Sequence, residues 1–85
     1  MGYNAGFNNN TLYNIAIGTE SLSNNNSGNS NIAIGYDSMK ENDSGTDNIA
    51  IGNFSLNQNT QGSYNTSFGY YSLNNNTVGN YNTAI

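Results

Sequence analysis

The feature that most limits what this chain can become is a step of 17 residues that runs along its length. Asn14-Ile15-Ala16-Ile17-Gly18 returns as Asn31-Ile32-Ala33-Ile34-Gly35 and as Asn48-Ile49-Ala50-Ile51-Gly52. A looser copy follows at Asn65-Thr66-Ser67-Phe68-Gly69, and Asn82-Thr83-Ala84-Ile85 opens another. Ser21-Leu22, Ser38-Met39, Ser55-Leu56 and Ser72-Leu73 keep the same step. So do Asn25, Asn42, Asn59 and Asn76, each three residues before Gly28, Gly45, Gly62 or Gly79. A short fixed period denotes one supersecondary unit stacked on itself, since a single unit cannot bury its own apolar face. The chain therefore reads as one repeat domain, 1–85, with an irregular rung 1–13, full rungs 14–30, 31–47, 48–64 and 65–81, and a partial rung 82–85.

Within a rung, Asn-Ile-Ala-Ile-Gly has the alternation of a short strand, with the two isoleucines on one face and the alanine on the other. The glycine that ends it can take positive φ and turn a corner. Ser-Leu or Ser-Met reads as a second short extended piece, and Asn-x-x-Gly as a further turn. The density of glycine, asparagine, serine and threonine, with no 3.6-residue period, disfavours helix. The expected fold is all-β, a parallel β-solenoid of about five rungs, roughly 24 Å tall at about 4.8 Å per rung.

Stacking turns columns into ladders. Ile17, Ile34, Ile51, Phe68 and Ile85 are expected to line one interior row, and Leu22, Met39, Leu56 and Leu73 another. Gly18, Gly35, Gly52, Gly69, Gly28, Gly45, Gly62 and Gly79 are the corner glycines. Asn14, Asn31, Asn48, Asn65 and Asn82, with Asn25, Asn42, Asn59 and Asn76, are expected to form asparagine ladders, each amide bonding to its own copies as in stacked cross-β arrays. The alanine column, facing away from the isoleucines, would admit another surface. Tyrosines at corner positions are expected to be partly exposed. Both features predict association with further copies of the chain, the usual remedy for a thin core.

Composition narrows the function. The chain has no histidine and no cysteine, which removes the commonest general base and every thiolate chemistry. One cation against five acids gives a net charge of −4, so phosphate neutralisation is poorly served and neither nucleic-acid binding nor membrane insertion is expected. Asp43-Ser44-Gly45-Thr46-Asp47 offers oxygen ligands but fits no calcium-loop pattern, so a solvated corner is the better reading. Glu20, Asp37 and Glu41 could be imagined as paired carboxylates, yet no loop long enough to build a cleft accompanies them. No enzyme activity, metal or cofactor is expected.

The Asn-Ile-Ala-Ile-Gly-x-x-Ser-Leu pattern resembles the head repeats of trimeric autotransporter adhesins. It is more similar to bacteriophage tail-fibre repeats, above all over Gly69-Tyr70-Tyr71-Ser72-Leu73, Asn76-Thr77-Val78-Gly79 and Asn82-Thr83-Ala84-Ile85. The resemblance implies a left-handed β-roll, often three chains side by side, in an extracellular fibre on a cell surface or virion. It leads to a structural building block of a fibre or filament that self-associates, as side-by-side trimers or head-to-tail. The alternative is a module that binds a cell-surface receptor or glycan. The four trailing and thirteen leading residues together make one 17-residue period. That leaves two explanations, a segment of a longer array or a subunit that stacks head-to-tail.

Overall fold

The computed structural model describes residues 2–9 and 11–85. Its five strands are β1 (Ile15–Ile17), β2 (Ile32–Ile34), β3 (Ile49–Ile51), β4 (Thr66–Phe68) and β5 (Thr83–Ala84). They form one parallel sheet in sequence order, and like pairs with like: Ile15 with Ile32, Ala16 with Ala33, Ile17 with Ile34. The register holds to the last pair, Ser67 with Ala84. The architecture is an all-β parallel solenoid in which each turn of chain returns directly onto the one before.

The rest of each rung is built from turns. The sequence predicts a second extended piece at Ser-Leu, and the structure corrects this. In the rung from Asn31, Ser38 N–H donates to Gly35 C=O (3.2 Å), Lys40 N–H to Asp37 C=O (3.3 Å) and Asn42 N–H to Met39 C=O (3.1 Å), giving three overlapping β-turns. The third residues of the first two turns, Asp37 and Met39, have φ of +55° and +50°. Such turns normally carry glycine or asparagine there. Bulky residues stand there instead: Phe54 and Leu56 in the next rung, then Tyr71 and Leu73. Their N–H groups hold them in place by bonding to neighbouring rungs, Met39 to Ser55 C=O (3.0 Å) and Phe54 to Tyr36 C=O (2.9 Å).

This path decides what is inside. The left-handed turn carries Leu22, Met39 and Leu56 into the interior, all at 0% exposure, and Leu73 packs against them partly buried. Across the narrow coil there is room opposite for a small side chain, and Ala33 and Ala50 supply it with no exposure. The predicted interior row of Ile17, Ile34, Ile51, Phe68 and Ile85 is therefore corrected. These side chains point outward, from half-buried at Ile34 and Ile51 to 42% exposed at Ile17, 53% at Phe68 and 99% at Ile85. Alternation along a strand forces the choice, because once alanine is inside, both isoleucines must face out. Where serine replaces alanine, at Ser67, its hydroxyl is paired with the Ser55 hydroxyl and with Ser72 C=O (2.7 Å).

The inward and outward columns should respond differently to truncation. Leu56→Ala is expected to cost about 2–5 kcal/mol, the range for an emptied core site. Ile49→Thr, on the outward face, should stay within about 1 kcal/mol. Urea unfolding at low protein concentration compares the two.

Candidate functional site

The interior beyond the leucine column is polar. Asn25, Asn31, Asn42, Asn48, Asn59 and Asn65 have no exposed surface. One column forms an amide chain along the axis, in which Asn42 Nδ2 donates to Asn25 Oδ1 (2.7 Å), Asn59 Nδ2 to Asn42 Oδ1 (2.8 Å) and Asn76 Nδ2 to Asn59 Oδ1 (3.0 Å). The other column holds the strand entrances. Asn48 N–H donates to Asn31 Oδ1 (3.0 Å), Asn65 N–H to Asn48 Oδ1 (2.9 Å) and Asn82 N–H to Asn65 Oδ1 (2.9 Å).

The two columns meet at the second glycine of each rung. Gly45 C=O accepts Asn31 Nδ2 (2.8 Å) and Asn42 Nδ2 (3.1 Å); Gly62 C=O accepts Asn48 Nδ2 (2.8 Å) and Asn59 Nδ2 (2.9 Å). Gly79 C=O repeats the pattern with Asn65 and Asn76. This explains the glycine in a way the turn reading does not. Gly28 and Gly45 have no left-handed φ, but a Cβ on Gly45 would stand 2.5 Å from Asn42 Oδ1 and 2.8 Å from Asn59 Nδ2. The glycine is there for closeness. Gly18, Gly35, Gly52 and Gly69, by contrast, have φ between +120° and +134°, as a corner requires.

The irregular first rung follows the same plan with its register shifted. Asn25 Nδ2 donates to Asn9 Oδ1 (2.7 Å) across a separation of 16, whereas Leu12 N–H donates to Asn29 Oδ1 across 17. Gly2 lies beneath Gly18, close enough that a Cβ would meet Gly18 C at 2.6 Å. The coil is thus one residue short between Asn9 and Thr11, and Thr11 Oγ1, bonded to Gly28 C=O, extends the amide network.

The surface carries three distinct groups. Lys40 Nζ pairs with Glu20 Oε1 at 3.1 Å, and Asn4 Nδ2 donates to Glu20 Oε2 at 2.8 Å. These bonds, the Asn4 amide first, hold the Glu20 carboxyl below its ordinary value, and Glu20 raises the Lys40 ammonium. Asp37, a rung above Glu20, is 9% exposed, and its Oδ1 has no hydrogen-bond partner. Burial pushes this carboxyl up, and the Glu20 charge adds to that against the opposing pull of Lys40. A second group is aromatic. Phe54 stacks on Tyr71 (4.7 Å, 11°) with Tyr36 and Tyr70 edge-on, and Tyr64 stacks on Tyr81 (4.9 Å, 3°). The third is the outward isoleucine face.

Among the described residues no group of three or more histidine, cysteine, aspartate or glutamate side chains could hold a metal, and no helix is long and apolar enough to cross a membrane. Glu41 and Asp43 stand exposed on turns apart from the Glu20–Lys40 pair. Besides the ion pair, the arrangement presents an apolar face of outward isoleucines and an aromatic corner. No protein family, curated protein or solved structure matches the chain.

Two outcomes follow. Asn59→Ala would leave Asn42 Oδ1 with one donor fewer and Asn76 Nδ2 without its ladder acceptor. At about 1–3 kcal/mol per unsatisfied buried group, a loss of roughly 2–5 kcal/mol is expected in thermal or urea unfolding. For Asp37, whose folded pKa lies above its unfolded one, the ionised form opposes folding at neutral pH. That penalty lifts as pH falls through the folded pKa towards the unfolded value near 3.8. Asp37→Asn should therefore melt higher than the parent at pH 7, with the gap closing towards pH 4 when melting is followed by circular dichroism.

Proposed function

We propose that the chain is a structural building block of an extracellular fibre, associating side by side with copies of itself through its isoleucine face. The observation that carries this is the outward pair of columns, Ile15, Ile32 and Ile49 beside Ile17, Ile34 and Ile51, on a sheet whose register never slips. Ile15, Ile17 and Ile49 are 48%, 42% and 37% exposed, an apolar stripe with no charged residue in the strands that bear it. A contiguous apolar face of this kind marks an association surface. Resemblance of the repeat to tail-fibre and adhesin-head repeats supports the extracellular setting and the mechanical role.

The energetics make the contact dependent on length. Burying the exposed half of an isoleucine yields on the order of 1 kcal/mol, and Ile32, Ile34 and Ile51 have less than half left to bury. The six residues together give at most about 6 kcal/mol, against an association cost of roughly 4–15 kcal/mol. One chain's face is marginal alone, and each added rung strengthens it by a constant increment. The role suited to such a surface is in a long object.

Ile34→Asp tests the reading, because Ile34 now lies outside the coil. The substitution is expected to reduce the number of chains per cross-section to one, measured as mass per unit length by electron microscopy or by sedimentation equilibrium for discrete particles. Circular dichroism should be unchanged. Side-by-side association that survives Ile34→Asp with its stoichiometry intact would sink the proposal.

A further inference from the structure

The geometry points to a binding strip for a neutral, extended β-1,4-linked polysaccharide along the corner that follows each strand. Tyr36 and Tyr70 supply two stacking faces there, and Asn53 an amide between them. The strip uses none of the isoleucines, so the inference does not rest on side-by-side association.

The repeat sets the spacing. The residue after each strand-ending glycine forms a column, Thr19, Tyr36, Asn53 and Tyr70, in which polar and aromatic side chains alternate. Backbone bonds hold the glycines in step: Gly35 N–H donates to Ile17 C=O (2.7 Å), Gly52 N–H to Ile34 C=O (2.8 Å) and Gly69 N–H to Ile51 C=O (2.7 Å). Tyr36 and Tyr70 therefore stand two rungs apart, about 9.6 Å at about 4.8 Å per rung. Two units of an extended β-1,4-linked hexose chain cover a similar length, and every second sugar turns the same apolar face to one side. A tyrosine suits such a face, with an apolar ring to stack and a hydroxyl for the polar rim.

Packing fixes both rings. Tyr36 meets Phe54 edge-to-face at 5.4 Å and 76°, and Tyr70 meets it at 6.2 Å and 85°. Tyr70 also stands across Tyr71 at 4.5 Å and 86°. Phe54 and Tyr71 are stacked on each other, so both lie to one side of Tyr70 and leave its other side free of ring contact. Tyr36, with a rung on either side of it, is still 46% exposed, so the corner opens along the flank of the coil. Rigid aromatic rings of this kind give contact area at little cost in conformational entropy.

The polar group between the rings is oriented too. Asn53 is exposed, and its Oδ1 accepts the Tyr36 N–H at 3.0 Å. That bond leaves Nδ2, which has no partner among the described residues, as the donor for a sugar hydroxyl.

Charge selects the ligand. Glu20, Asp37, Glu41, Asp43 and Asp47 all fall in the first two full rungs, and Asp37 directly precedes Phe54 in its column. Lys40, the one cation of the sequence, is engaged by Glu20 at 3.1 Å. Such a field repels a chain of uronic acids or sulfated sugars and leaves neutral ones unaffected.

Titration calorimetry with cellohexaose and chitohexaose tests the strip, and comparing the two shows whether acetamido groups add to stacking. At least one is expected to bind saturably, about tenfold tighter than its own disaccharide, which cannot span both tyrosines. Maltohexaose, curved by its α-linkages, and anionic polygalacturonate should not bind. Tyr36→Ala and Tyr70→Ala should each weaken hexaose binding about tenfold with unchanged circular dichroism, while Tyr36→Phe and Tyr70→Phe stay within about threefold. Tyr64→Ala, at the other corner, should have no effect. Absence of binding by both hexaoses, equal affinity for hexaose and disaccharide, or equal binding of maltohexaose or polygalacturonate would overturn the proposal. So would alanine variants that bind like the parent. The length and charge comparisons need no variant and decide the matter even where an alanine variant does not fold. Hexaose binding should persist in Ile34→Asp, so failure of the fibre reading is seen separately.

Discussion

Everything in this fold depends on a carbonyl oxygen that accepts two amides. At Gly45, and again at Gly62 and Gly79, one backbone oxygen takes a side-chain N–H from each asparagine column. Buried polar groups are costly when unpaired, but here the donors and acceptors form continuous chains along the axis. The asparagines thereby fill the half of the interior that the leucine column does not reach. Because the amides must come this close to the backbone, the position can only be glycine. Because the coil is this narrow, the strand opposite the leucines can present only alanine or serine. The expulsion of isoleucine to the surface follows from that width.

The same construction explains how the chain tolerates its backbone. Fourteen of the described non-glycine residues have positive φ, among them Leu22, Met39, Leu56 and Leu73. The left-handed region costs an L-residue about 1–2 kcal/mol, so no isolated rung would adopt this path. In the stack, Leu22, Met39 and Leu56 each donate their N–H to the rung above and bury their side chains against one another. Strain and its compensation therefore belong to different rungs. Stability is a nearest-neighbour property, as expected of a quasi-one-dimensional repeat, and the first coil shows the requirement at work. With one residue fewer between Asn9 and Thr11, it still brings Asn9 under Asn25 and Thr11 under Gly28.

The period, the parallel register and the columns themselves are legible in the sequence, because identical residues at a fixed step can only pair with their copies. Which face of the strand looks inward is not. Alternation separates isoleucine from alanine without saying which is inside, and the larger apolar residue is the natural choice for a core. The deciding quantity is the width of the coil, set by the left-handed turns at Leu22, Met39 and Leu56. Those turns are invisible to residue-type rules, because from the second rung on the positions that need positive φ carry glutamate, aspartate, phenylalanine, tyrosine, leucine and methionine; the expected residue types stand there in the first coil, as Asn4 and Gly6. The second glycine is hidden for the opposite reason. It looks like a flexible corner, but its role is close approach.

An outward isoleucine face and a buried amide ladder divide the cohesion of this coil into two kinds. The amide chains and the leucine column hold rung to rung, so what they contribute grows with the number of rungs stacked. On the proposed reading, the isoleucine face gains a fixed increment per rung against a fixed cost of association, so it would be weak for a short coil and strong for a long one. A coil too narrow to enclose isoleucine thus leaves its large apolar residues where added rungs would reward them.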